Sequence, residues 1–211
     1  MGQAMIQLAR RPVLSVVVGD NCDLMAKVAR LWIRPTDAVL DTTYGRGAFW
    51  TLYRPRHLII SDHDFTALPY GDEFADVVVY DPPYTSTGGN DTSTIDDFNQ
   101  RYGLGDIKGV NNLFAYNKLG MAECARVSAG LVMVKCADFV ESGHRHWGHQ
   151  VITDTARELG LRQVDEFILV SGTGPQPKKN LDGSRRRQVH SRRAHSFLCV
   201  FRKPRRRHTP L

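Results

Sequence analysis

Three short apolar runs in the first half of the chain each stop abruptly at a polar or rigid residue, and this constrains the fold more than any other feature. Ala38-Val-Leu-Asp41 runs into the glycine-rich turn Thr43-Tyr44-Gly45-Arg46-Gly47. His57 to Ser61 (HLIIS) ends at Asp62-His63-Asp64, and Ala75 to Tyr80 (ADVVVY) is halted by Asp81-Pro82-Pro83. Runs this short, rich in β-branched residues, read as buried strands, and proline cannot donate to a sheet ladder, so the third must end where it does. Helical spacing recurs around them. Asn21 to Trp32 places apolar residues at Leu24, Met25, Val28, Ala29, Leu31 and Trp32, with Asp20 or Asn21 as cap and Pro35 beyond its end. Asn112 to Ser128 and Gln150 to Leu159 read as further helices; Gly130 to Cys136, Gln163 to Ser171 and Ser196 to Arg202 read as strands. Strands alternating with helices predict an α/β domain, its sheet mostly parallel, covered on both faces and completed by an antiparallel closing strand.

With 211 residues the chain fits one such domain, spanning 1–211. Two regions stand apart. Residues 85–112 are rich in Thr, Ser, Gly, Asn and Asp and read as a long loop, and 172–195 is a Gly-, Pro- and Arg-rich excursion; a basic tail occupies 203–211. Charge is segregated accordingly. Residues 178–207 hold twelve of the 28 Lys and Arg with Asp182 as the sole acid, a local net charge of +11, against −5 for the remainder. An acidic body with one basic end implies a surface for a polyanion. Within it Lys178, Lys179, Arg185, Arg186, Arg187, Arg192 and Arg193 are the candidate phosphate contacts, which position a nucleic acid without reading its sequence.

Other classes are disfavoured. No apolar run approaches the length of a membrane span, and Pro12 to Gly19 is too short. The four cysteines, Cys22, Cys124, Cys136 and Cys199, are scattered with no CxxC pair, which argues against a disulfide framework or structural zinc and for a cytoplasmic home. His144-Arg-His146-Trp-Gly-His149 has no cysteine or acid at ligand spacing, so it reads as a polar loop that could touch phosphate, and no metal is expected. The turn after the first strand has GxG spacing but lacks the third glycine of a dinucleotide fingerprint, which argues against a nicotinamide cofactor.

Asp81-Pro82-Pro83-Tyr84 carries the most chemistry. Two prolines fix the backbone and so the direction of the Asp81 carboxylate and its neighbouring carbonyl, acceptors suited to the two hydrogens of an amino group. Tyr84 can stack on a planar base. This tetrapeptide, the preceding glycine-rich turn and the helix before it occur in the order found in the DNA amino-methyltransferases that modify adenine N6 or cytosine N4, and the chain resembles a small single-domain member of that family over about residues 20–140, more loosely over 160–203. The resemblance implies a Rossmann-like class I fold and S-adenosyl-L-methionine as cofactor. It implies that Asp41, Thr43, Tyr44, Gly45 and Gly47 surround the methionine part, that Asp62 holds the ribose, and that Asp64 and Leu68 lie in the segment facing the cofactor's adenine. Asp81, Pro82, Pro83 and Tyr84 would be catalytic. The sequence departs from the family in having only His63 between Asp62 and Asp64, so the helix and strand usually found there are expected to be missing, or one carboxylate has no cofactor role.

By family tendency, Asp before the diproline implies adenine in DNA. RNA guanine-N2 or adenine-N6 enzymes and DNA cytosine-N4 enzymes share the pattern and stay open, as does a catalytically silent nucleic-acid binder on the same fold. A cytosine-C5 enzyme would need a nucleophilic cysteine, and none lies near Asp81. The target site, a cognate nuclease and the oligomeric state are not legible.

Overall fold

The computed structural model describes residues 12–84, 109–141, 143–172 and 188–204. The loop 85–108, most of the excursion (173–187) and the tail from 205 lie outside the described residues, and with them Lys178, Lys179, Arg185, Arg186 and Arg187.

Among the described residues, nine strands and three α-helices are laid out as β1 (Val16–Val18), α1 (Asn21–Trp32), β2 (Ala38–Asp41), β3 (His57–Ile60), β4 (Ala75–Tyr80), α2 (Val110–Val127), β5 (Ser128–Cys136), β6 (Phe139–Glu141), β7 (His144–His146), α3 (Gly148–Glu158), β8 (Arg162–Val170) and β9 (His195–Arg202). Seven strands form one sheet in the order β1-β8-β9-β5-β4-β2-β3, and β6 pairs with β7 in a separate hairpin. Within the large sheet β9 alone runs against its neighbours, pairing Met133 with Val200 on one side and Phe167 with Leu198 on the other. The mostly parallel sheet with one antiparallel closing strand is therefore as expected. That strand is closing in sequence only: it lies inside the sheet, between β8 and β5.

Both faces are covered, which explains why the strands read as continuous apolar runs. Along β4, Val77 and Val79 pack with α1 through Leu24, Met25 and Val28, while Val78 and Tyr80 pack with α2 through Leu113 and Met121. α1 begins with a reciprocal cap: the Asp20 carboxylate accepts from the Cys22 and Asp23 amides, and the Asp23 side chain accepts from the Asp20 amide. Its far end is tied down where Trp32 Nε1 donates to Asp165 of β8 at 2.7 Å. α2 sits close over β4 because Gly120 leaves room; a Cβ there would run into Tyr80 and Phe65.

Three elements differ from the expectation or sharpen it. β1 extends the sheet at the β8 edge, where three valines were too short a run to stand out. The histidine-rich stretch is not a loop: His144–His146 form β7, and Gly148 opens α3. No helix or strand occupies 61–74, so the sheet ends at β3, as the spacing of Asp62 and Asp64 implied. Among the described residues no helix is long and apolar enough to cross a membrane.

Candidate active site

The two motifs meet because their strands are neighbours. β2 and β4 run parallel in register, Asp41 beside Val79, so the glycine-rich turn and the DPPY turn leave the sheet side by side at its carboxyl end. A hydrogen bond joins them directly: the Asp81 amide donates to Thr43 Oγ1 at 2.7 Å. Gly47 has φ +74°, a backbone few other residues adopt, and a Cβ there would come within 2.5 Å of the Tyr44 hydroxyl. Gly45 is also left-handed, at φ +57°. The turn thus folds tightly over the strand end, with Tyr44 tucked across it and its hydroxyl 3.3 Å from Arg54 Nη1.

Asp41 is buried beneath this turn. Trp50 Nε1 donates to its Oδ2 at 2.7 Å and the Thr43 amide to its Oδ1 at 3.0 Å. Burial pushes its carboxyl up to about 7 despite these donors, and the nearby charges of Asp81 and Asp62 push the same way. Asp62 stands exposed just past β3. Asp64 is engaged locally, its Oδ1 accepting from the Thr66 amide at 2.8 Å and hydroxyl at 2.7 Å. Leu68 points into the core, 5% exposed, and its amide donates to Glu123 of α2 at 2.9 Å. The turn residues and Asp81 are therefore brought together, Asp62 borders them through its effect on Asp41, and the Leu68 side chain is packed away from them.

Asp81 is only partly enclosed as a residue, yet its Oδ1 is shut off from solvent and has no hydrogen-bond partner among the described residues. Burial raises its carboxyl to about 6, and the Lys135 ammonium partly opposes this. Pro82 is buried, and the Pro83 carbonyl accepts from Asn117 Nδ2 of α2 at 3.3 Å, which pins the diproline. Tyr84 is held by Lys135, whose Nζ donates to the hydroxyl at 3.1 Å and lies 5.0 Å from the ring centroid. Lys135 is 5% exposed and sits near the end of β5. It also lines a cleft of about 490 Å³ at the carboxyl end of the sheet, with Asp20 and Cys22 at the start of α1, Ala48 and Thr51 after the glycine turn, and Leu169 and Ser171 of the β8 end.

Lys135, Asn117 and Trp50 take part in this site and carry no signal in the sequence beyond their types. A lysine inside the apolar run Gly130 to Cys136 was the one available clue, since a buried amine needs a partner. Arg193 is described and is not free: its guanidinium lies 3.4 Å from the Asp138 carboxylate and 5.2 Å from the Trp147 ring centroid. Arg192 is half-buried in the same segment.

The residues fit S-adenosylmethionine in kind: a strand-end turn that needs glycine at Gly47, a carboxylate beneath it, and a cleft alongside. No protein-family model matches the sequence, and no curated relative does. Solved structures do. A protein from Bacillus halodurans C-125 assigned as a methyltransferase (BH2331) superposes with a TM-score of 0.51 at 14% identity, over 85% of this chain and 98% of that one. A protein from Thermus thermophilus assigned as a DNA modification methylase (TTHA0409), solved with S-adenosyl-L-methionine, has a TM-score of 0.43 at 17% identity over 71% of this chain; this chain spans 57% of its length. Magnesium protoporphyrin IX methyltransferase from Synechocystis PCC 6803, solved with S-adenosylhomocysteine, has a TM-score of 0.47 at 9% identity, over 87% of this chain and 81% of that one. In its sheet order, its single reversed strand and its match to the Bacillus structure, the chain has the Rossmann-like fold of the S-adenosylmethionine-dependent methyltransferases.

Proposed function

We propose that the protein is an S-adenosylmethionine-dependent methyltransferase that acts on an exocyclic amino group of a nucleic-acid base, adenine N6 in DNA. One observation carries the reading: Asp81 Oδ1, a buried acceptor without a donor among the described residues, stands beside a diproline and an aromatic ring, hydrogen-bonded through its own amide to the glycine turn. An orphaned buried acceptor costs about 1–3 kcal/mol, and the donor that offsets this is absent from the described protein. An amino group supplies that donor.

The cofactor provides an electrophilic methyl on a sulfonium. In this reading Asp41, Thr43, Tyr44, Gly45 and Gly47 would surround its methionine part, Asp62 would hold the ribose hydroxyls, and Asp64 and Leu68 would lie in the segment facing its adenine. Asp81 and the Pro82 carbonyl accept the two amino hydrogens, which favours a pyramidal nitrogen with an available lone pair. Tyr84, fixed by Lys135, stacks on the base, which must be unpaired or turned out of a duplex. Asp81, its carboxyl raised by burial to about 6, would take the proton that the amino group loses when methylated. Holding both reactants in line supplies much of the rate.

Incubating the protein with methyl-labelled cofactor and either DNA or RNA, followed by nucleoside mass spectrometry, tests the reading. N6-methyladenine in DNA with the wild type and none with Asp81→Ala is the expected result. Methylated RNA nucleosides or N4-methylcytosine instead would redirect the substrate, and equal product from both proteins would refute the role of Asp81.

A further inference from the structure

Two polar segments 46 residues apart at their contact are fastened together on the carboxyl-terminal rim of the sheet. Arg145 of β7 donates from Nη2 to the Ser191 carbonyl at 2.6 Å and lies 3.3 Å from its hydroxyl. His190 Nε2 lies 2.8 Å from the Gly143 carbonyl, at the turn of the β6–β7 hairpin. Arg193 reaches Asp138 at 3.4 Å, and the same carboxylate meets His149 Nδ1 at 2.8 Å. Asp138 is 4% exposed, with Oδ1 engaged by His149 and Oδ2 facing Arg193 at ion-pair rather than hydrogen-bond geometry. Trp147 remains 43% exposed, with the guanidinium of Arg145 at 5.7 Å and that of Arg193 at 5.2 Å from its ring centroid. Arg145 Nη1 and Arg193 Nε are themselves buried and have no acceptor among the described residues, while the Arg193 side chain as a whole stays 26% exposed.

The hairpin is tied to the same two elements, β5 and α2, that hold the DPPY turn. β6 begins at Phe139, just beyond the end of β5 that carries Lys135. Phe139 and His146 pack their rings against Phe114 of α2 at 6.0 and 6.4 Å, about one helical turn before Asn117, which holds the Pro83 carbonyl. An indole that fixes two guanidiniums presents planar, pre-oriented donors, the arrangement that suits phosphate. An exposed aromatic between cations is also how single strands are gripped without sequence preference.

We propose that Arg145, Trp147 and Arg193 form a clamp for the sugar-phosphate backbone of the single strand whose base enters the Asp81 site. The clamp rests on the base-methylating reading but makes its own demand on binding. Fluorescence anisotropy of the full chain with a fluorescein-labelled single-stranded oligodeoxynucleotide, titrated over roughly 50–200 mM salt, reads it. Arg145→Gln should flatten the slope of log affinity against log salt by about 0.7, one phosphate contact, and weaken binding roughly fivefold at about 0.1 M salt. Arg145→Lys, which keeps the charge, should keep the slope. Calorimetric binding of S-adenosylhomocysteine, equal in both variants, reports that they fold.

An unchanged slope in Arg145→Gln overturns the clamp, as does a wild type that ignores the oligonucleotide or releases it equally to polyglutamate, an acidic polypeptide. If methyl transfer to nucleic acid persists in those cases, the catalytic reading stands without the clamp. A slope that falls as expected, in a protein that methylates no nucleic acid, upholds the clamp and refutes the catalytic reading.

Discussion

Asp81→Asn separates what the buried carboxylate costs the fold from what it does for the reaction. The substitution keeps size and one acceptor oxygen but removes the charge. In the folded protein the carboxyl is raised from the ordinary 3.8 to about 6, chiefly by burial. A raised acid stabilises the fold fully below its unfolded value and loses that contribution as pH climbs through the folded one. The window is therefore about pH 4 to 6, and the full loss is about 3 kcal/mol at roughly 1.36 kcal/mol per unit. Above about pH 7 the Asn variant should be more stable than the wild type by up to about that amount. At roughly 2–4 °C per kcal/mol for a chain of this size, the melting temperature should rise by several degrees. At about pH 4 the two proteins should melt nearly together. Methyl transfer should meanwhile fall on the order of a hundred- to thousandfold, the usual cost of removing one charge-stabilising group, with cofactor binding intact. Melting by circular dichroism at about pH 4 and 8, beside a labelled-methyl assay, reads both. An Asn variant that is less stable on the alkaline side would refute the argument, because it would mean that the carboxylate is satisfied in the fold and awaits no amine.

Two further perturbations probe the supports of the site. Lys135→Met removes the nearby charge that lowers the Asp81 carboxyl, so the acidic limb of the rate–pH profile should move to higher pH, with activity recovering in alkaline buffer; an unmoved limb would show that Asp81 ionisation does not control the rate. Trp50→Phe leaves the buried Asp41 Oδ2 without its 2.7 Å donor, which should cost about 1–3 kcal/mol in urea unfolding and weaken S-adenosylhomocysteine binding, and wild-type values for both would show that the indole contact is incidental.

What could be read from the sequence followed from local chemistry. The runs before Asp41, Asp62 and Asp81 had to be strands because β-branched residues met glycine, acid or proline, and in a parallel sheet those abrupt ends collect at one rim. β1 was not legible because three valines have no periodicity to display; β8 gives them a partner, pairing Val17 with Leu169. The β6–β7 hairpin was missed for a related reason. Its strands are three residues each, and polar residues dominate β7, so the pairing of Phe139 with His146 and the packing of both on Phe114 emerge only in the fold. Lys135 could be seen as an oddity in an apolar strand, but its partner Tyr84 is 51 residues away in sequence, and nothing short of the fold brings them to 3.1 Å.

The stretch between β3 and β4 is held in place by side chains rather than by secondary structure. With no helix or strand between Ser61 and Phe74, the backbone there still needs partners, and one side chain of α2 supplies several. Arg126 donates to the Leu68 carbonyl at 3.0 Å and the Tyr70 carbonyl at 2.8 Å, and pairs with Glu123 and Asp72 at 2.7 and 3.0 Å. These acidic partners hold its guanidinium well above the usual range, so it is a fixed cation at any working pH. Glu123 closes the circuit by accepting the Leu68 amide. The segment that carries Asp64 is thus pinned to the helix whose Asn117 pins the diproline, about two turns away on the same rigid rod. Asp62 and Asp81 follow the strands on opposite sides of β2, and both raise the carboxyl of Asp41 at its end. The segment after β3 and the DPPY turn therefore share a mechanical frame in α2 and an electrostatic one in Asp41, which ties the two ends of the candidate site together without any helix or strand between Ser61 and Phe74.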